Sequence, residues 1–159
     1  MKTRATRLSR FDSLEQEVYL GIWRTYDRLR MLEDNLFQGF ELTAQQYNLL
    51  RLLQAEHPDS LPTLSVATRL VSRAPDITRM LDKLENRHWI ERERPKSNRR
   101  VVNVRITTAG IELLQQIAEP LSECHLQQLG HLGTAQLKQL SGLLKEARNP
   151  HETGDSHWK

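Results

Sequence analysis

The chain holds a single cysteine, Cys124, among 159 residues. No disulfide can form within it, a usage that fits a reducing compartment. Its seven glycines fall in no phosphate-cradling pattern, which removes the loops of nucleotide-binding enzymes. No apolar run approaches the roughly 18 residues of a membrane span. The basic start (Lys2, Arg4, Arg7, Arg10) is followed by no apolar segment of the kind a secretory signal needs. A cytoplasmic protein without membrane contact is expected. Also missing are an HExxH motif, a Ser/His/Asp or Cys/His set, and histidines at the four-residue spacing that holds a metal on a helix. The expectation is therefore no metal, no cofactor and no enzyme.

What the chain does have is charge, unevenly placed. The net charge is only +3. Residues 1–10 carry four bases and no acid, 11–60 four bases against nine acids, 61–110 eleven against five, and 111–159 four against six. A concentrated basic block between acidic segments is either a solvated face or the footprint of a surface that meets a polyanion.

Periodicity divides the chain further. Ser13 and Gln16 have capping-box spacing, and Leu14, Val18, Ile22, Thr25, Leu29, Leu32 and Leu36 recur every three or four residues behind them. A long amphipathic helix over residues 12–38 follows, suited to packing on a partner chain. Thr43 and Gln46 open a second, short helix; His57-Pro58-Asp59-Ser60 is a turn, and Thr63 caps a brief third helix through Leu70. At Ser72-Arg73-Ala74-Pro75-Asp76 the chain breaks and restarts, with Pro75 and Asp76 in the first turn of a helix whose Ile77, Met80, Leu81 and Leu84 face inward. From Ile90 the period changes to two; the strands around Pro95-Lys96-Ser97-Asn98 read as a β-hairpin with a basic tip. Thr107 to Gly110 begins another long helix, with Pro120 as a kink or distortion within it. Thr134 caps a last helix, and residues 149–159 read as a flexible tail.

A short helix, a turn, a second helix and a basic hairpin within residues 42–106 is the order of a winged helix-turn-helix. Its second helix is sized for the major groove and its hairpin for the adjacent minor groove. The fold class is thus mostly α with a small β-hairpin wing, a DNA-binding core between dimerisation helices at residues 12–38 and 107–148. Within this order, Ile77-Thr78-Arg79-Met80-Leu81-Asp82-Lys83-Leu84-Glu85, then Ile90, then Asn98-Arg99-Arg100, then Ile106-Thr107-Thr108-Ala109-Gly110 resemble the MarR family of bacterial transcription regulators. That family shows a helix of the type VTRLLDRLE, a G-L-I/V step, a wing ending D-x-R, and L-T-x-x-G. The motif-bearing part is residues 71–110; by helix order the likeness extends over about residues 12–148.

The resemblance implies a homodimeric, ligand-responsive repressor on a pseudo-palindromic operator. Matched position by position, it implies that Arg79 contacts a base or adjacent phosphate, and that Pro75, Asp76 and Thr78 lie in the half-helix that enters the groove. Arg100 is the implied minor-groove residue, with Arg99 as its phosphate partner and Arg73 as a phosphate clamp. Asp76 is open between accepting from a cytosine amino group and complementing the helix dipole. Lys83, Arg87, Arg92 and Arg94 read as solvated charges. Two departures stand out. Asn98 replaces the wing's usual acid, so a more loosely held arginine is expected. Asn86-Arg87-His88-Trp89 replaces a glycine turn, and Trp89 is expected to plug the base of the wing.

Trp23, Tyr26 and Tyr47 are candidates for a pocket taking a small aromatic or anionic effector, set against the plainer reading of core aromatics. Cys124 reads as a buried inert thiol rather than a redox sensor. Two other readings remain: a winged helix that grips an acidic protein partner, and a redox or small-molecule sensor without strong DNA specificity.

Overall fold

The computed structural model describes residues 10–71 and 76–152. Arg73 and Pro75, and the end of the expected tail, lie outside those residues. Helix α1 spans Leu14–Gly39 and α2 spans Ala44–Glu56. A two-residue strand β1 (Leu61–Pro62) leads into α3 (Thr63–Arg69), followed by α4 (Ile77–Asn86). Strands β2 (Ile90–Glu93) and β3 (Asn103–Ile106) form the hairpin, and α5 (Thr108–Leu129) and α6 (Thr134–Arg148) complete the order.

The caps explain where the helices start. Ser13 accepts from Gln16 N–H, while the Gln16 side chain reaches back to Asp12 N–H. Thr43 and Gln46 form a complete capping box. Thr63 is not a cap: it is the first residue of α3, and its hydroxyl and N–H both donate to the carbonyl of Val102 in the hairpin. The start of α6 shifts likewise, since Gly133 takes the cap position and its N–H donates to Gln136. Helix α5 runs through Pro120. The missing N–H there orphans the carbonyl four residues back, at Gln116, which is exposed and so within reach of water. The expected tail is also ordered at its start, where Asn149–His151 form a 3-10 turn and Arg148 pairs with Glu152 at 3.1 Å.

The sheet has the order β1-β3-β2, all antiparallel, with Leu61 opposite Val104 and Ile90 opposite Ile106. The sequence pattern predicts only its hairpin part. Because side chains alternate along a strand, Val104 and Ile106 both face inward and are buried beside Ile90, Leu49, Leu50, Leu53, Leu81 and Leu84. Each fully buried leucine or isoleucine stabilises the fold by roughly 1.5–3 kcal/mol, so this cluster fixes how α4 and the hairpin sit on α2. Phe37 closes the core from α1, its ring 4.8 Å from that of Tyr47. Beyond that end, α1 is different: Leu14, Val18, Ile22 and Trp23 are all exposed. Helix α6 buries no residue at all.

Candidate nucleic-acid interface

Helix α4 is ten residues long, about 15 Å, a length suited to a groove about 12 Å wide. Met80, Leu81 and Leu84 anchor one side in the core, leaving Thr78, Arg79, Asp82 and Lys83 exposed on the other. Asp76 is the N-cap rather than a first-turn residue. Its carboxylate accepts from Arg79 N–H at 3.0 Å, so the acid satisfies an orphan backbone donor next to the arginine that the sequence singles out. Asp76, Arg79 and Lys83 line one open groove with Thr43, Gln45 and Gln46 from the start of α2. Lys83 therefore belongs with Arg79, which the sequence alone does not indicate.

The wing tip is held by its own side chains. Asn98 Oδ1 accepts from Arg100 N–H at 3.1 Å, and the Arg94 guanidinium donates to the Arg99 carbonyl at 3.0 Å. The amide that replaces the usual acid thus braces the backbone of Arg100, while among the described residues the guanidinium of Arg100 has no ion pair. Arg99 and Arg100 are exposed. Arg94 is a brace rather than a free solvated charge.

Two more of the presumed solvated arginines are engaged. Arg87 pairs with Glu41 across from α2's approach and lies 4.9 Å over the ring of Trp89. Arg92, on β2, donates to Glu85 and to Asp82, both on α4. The hydrogen bond from Arg92 holds the Glu85 carboxyl below the usual glutamate range, and the Glu85 carboxylate raises the guanidinium in turn. Arg105 and Glu91 make a further pair between neighbouring strands, and Arg69 pairs with Glu56. Against this pairing, and among the described residues, Arg79, Lys83, Lys96, Arg99 and Arg100 are the bases of residues 76–105 that face solvent without an acid or carbonyl partner. They lie on α4 and the wing.

Trp89 does sit at the base of the wing, half-buried against the core. Its carbonyl accepts from Thr107 N–H at 3.0 Å, and the preceding His88 carbonyl accepts from the Thr107 hydroxyl at 2.6 Å. His88 has φ 59°, in the left-handed region that favours glycine. The first turn of α5 is thereby tied to the step between α4 and β2.

A solved MarR transcription factor from Planctomyces limnophilus is 51% identical to this chain, covering 86% of it and 98% of its own length, with a TM-score of 0.69. The chain belongs to the MarR family. The MarR family model matches residues 42–102, which run from just before α2 to just before β3. The chain is also similar to the transcriptional repressor MprA of Escherichia coli K12, at 26% identity over 148 residues, 92% of this chain and 83% of the relative. A mutant MarR from E. coli complexed with operator DNA shares the fold, with a TM-score of 0.73 at 24% identity, covering 86% of this chain and 99% of that one. The protein is thus a transcription regulator of the MarR family, with the winged helix-turn-helix fold.

The three aromatic candidates do not come together. Trp23 and Tyr26 are exposed on α1, and Trp23 lines a groove with Arg10, Arg24 and Arg28. Tyr47 lines a separate groove with Arg51, Leu121, Ser122 and His125. Burial pushes the Tyr47 hydroxyl up from its ordinary range. Cys124 is buried, and that burial, reinforced by Glu33, raises its thiol, the opposite of what a reactive thiolate needs. Among the described residues no cluster of metal-ligating side chains occurs and no helix is long and apolar enough to cross a membrane.

Proposed function

We propose that this MarR-family regulator binds double-stranded DNA as a homodimer, as a cytoplasmic repressor of a pseudo-palindromic operator. Arg79 and Thr78 on α4 read bases in the major groove, Arg100 enters the neighbouring minor groove, and Arg99 meets a phosphate. Asp76 acts first as a cap and, through it, fixes the start of α4. Arg73 as a clamp and Pro75 at the groove end of the helix rest on the sequence resemblance. The observation that carries the reading is the selective pairing of charge: among the described residues, the bases left without a partner on this part of the chain are those on the outer face of α4 and the wing. A polyanion supplies what they lack.

The homodimer rests on α1 and α6, where Leu14, Val18, Ile22, Trp23, Leu143 and Leu144 are exposed, large apolar side chains of the kind a subunit interface covers. A two-fold arrangement of two such subunits presents two α4 helices to half-sites about one DNA turn apart. For release, a small aromatic anion suits the groove of Tyr47, Arg51 and His125, and it acts only through different affinities for the DNA-competent and incompetent states. Trp23 and Tyr26 then belong to the subunit interface.

Duplexes selected from a random pool test the reading in a gel shift. Arg79→Ala is expected to cost about 1–3 kcal/mol of operator affinity and to relax base preference. Replacing Arg99 should lower the salt slope by about one unit, alike on all sequences. Unchanged operator affinity in both Arg79→Ala and Arg100→Ala refutes this docking.

A further inference from the structure

Arg92 is unlike the other paired arginines of the basic block because it joins the two parts of the proposed DNA surface. It sits on β2, at the root of the wing, whereas both of its acids are on α4. Its Nε donates to Glu85 at 2.9 Å, its terminal nitrogen donates to Asp82 at 2.6 Å and also to Glu85, and its backbone N–H donates to Glu85 at 3.3 Å. A planar guanidinium can hold two carboxylates in fixed directions, which an ammonium cannot. Two residues on, just past the end of β2, Arg94 donates to the Arg99 carbonyl, and Asn98 accepts from Arg100 N–H. Polar contacts thus tie the root of the wing to α4 and brace the backbone of its tip, and a single residue of chain, Glu93, separates the two sets.

We propose that Arg92 is a positioning residue: it sets the angle between α4 and the wing, and so the number of base pairs separating major-groove from minor-groove contacts. The proposal rests on the DNA-binding reading above. A direct phosphate contact by Arg92 is disfavoured by its partners, because moving the guanidinium to DNA would leave Asp82 and Glu85 uncompensated beside a polyanion.

The test uses the double variant Glu85→Gln with Arg92→Gln, which removes the link without changing net charge. Operator preference should weaken roughly fivefold, as befits a partly exposed ion pair. Hydroxyl-radical protection in the minor groove should be lost or spread, guanine N7 protection in the major groove should stay, and the salt slope should not change. In the free protein, amide exchange over residues 90–106 should rise relative to α2. Arg92→Lys, which keeps the charge and folds more readily, should give intermediate minor-groove protection. A wing footprint as sharp as the parent's in both variants overturns the proposal, as does unaltered wing exchange. A salt slope lower by about one unit in the double variant makes Arg92 a phosphate contact instead. A parent protein that binds no selected duplex refutes the DNA reading itself, whereas a parent that binds while the variants keep its footprint refutes only the role of Arg92.

Discussion

Replacing Gly110 by alanine should destabilise the protein, although the position is helical and alanine is the better helix former. Gly110 lies in the first turn of α5, where its N–H donates to the Thr107 hydroxyl. A Cβ added there would fall 2.3 Å from the Trp89 carbonyl oxygen and 2.7 Å from Cγ1 of Ile106. The first of these is backbone, and it already accepts from Thr107 N–H, so it cannot swing aside as a side-chain tip would. Relief requires α5 to withdraw from the turn joining α4 to β2. Overpacking costs about 1–3 kcal/mol; a clash with backbone that cannot swing aside belongs in the upper part of that range, about 2–3 kcal/mol, and the gain in helix propensity returns about 0.8–1 kcal/mol. The net loss is expected near 1–2 kcal/mol, a fall of roughly 2–8 °C in Tm for a chain of this size. Urea titration followed by circular dichroism, with parent and variant at one protein concentration, measures it. A variant as stable as the parent or more so would show that α5 is not in close contact with the Trp89 turn. The family's L-T-x-x-G pattern thus has a steric reason in this chain.

Two further outcomes follow from the ionisable groups. Because Arg92 holds the Glu85 carboxyl below its ordinary range, the pair's contribution is fully present above about pH 4.3, the unfolded glutamate value, and is lost as pH falls through the lower folded value. Parent stability should therefore decline more steeply below pH 4.3 than that of Glu85→Gln, and parallel acid titrations of the two proteins would contradict the pairing. Cys124, buried and with its thiol raised by burial and by Glu33, should alkylate far more slowly in the native protein than in urea. Comparable rates in the two states would mean that the thiol is accessible.

Much of the architecture is written locally. Ser13 with Gln16, Thr43 with Gln46, and the alternation of Val102, Val104 and Ile106 each carry their own signal, because caps and strand periods involve residues a few positions apart. The strand Leu61–Pro62 is invisible by the same logic: two residues have no period, and their pairing with Val104 and Asn103 is settled by packing across forty positions of chain. The site divides in the same way. Thr78, Arg79, Arg99 and Arg100 are legible because their types stand in a recognisable order, and the structure leaves them exposed where that order puts them. The engagement of Arg87 with Glu41, and of Arg92 with Asp82 and Glu85, is not legible, since nothing in a charge count says which bases are already neutralised. Nor could spacing show that Trp23 and Tyr47 border different grooves.

The exposure of α6 has a consequence in mass action. A fifteen-residue helix with no fully buried residue is marginal in water on its own, so its order must come largely from whatever covers it. If that cover is a second subunit, helicity, subunit concentration and DNA affinity are linked variables, and dilution acts on the regulator as a ligand's withdrawal would. The cell's copy number then sets how much of the protein is competent to regulate, before any effector is present.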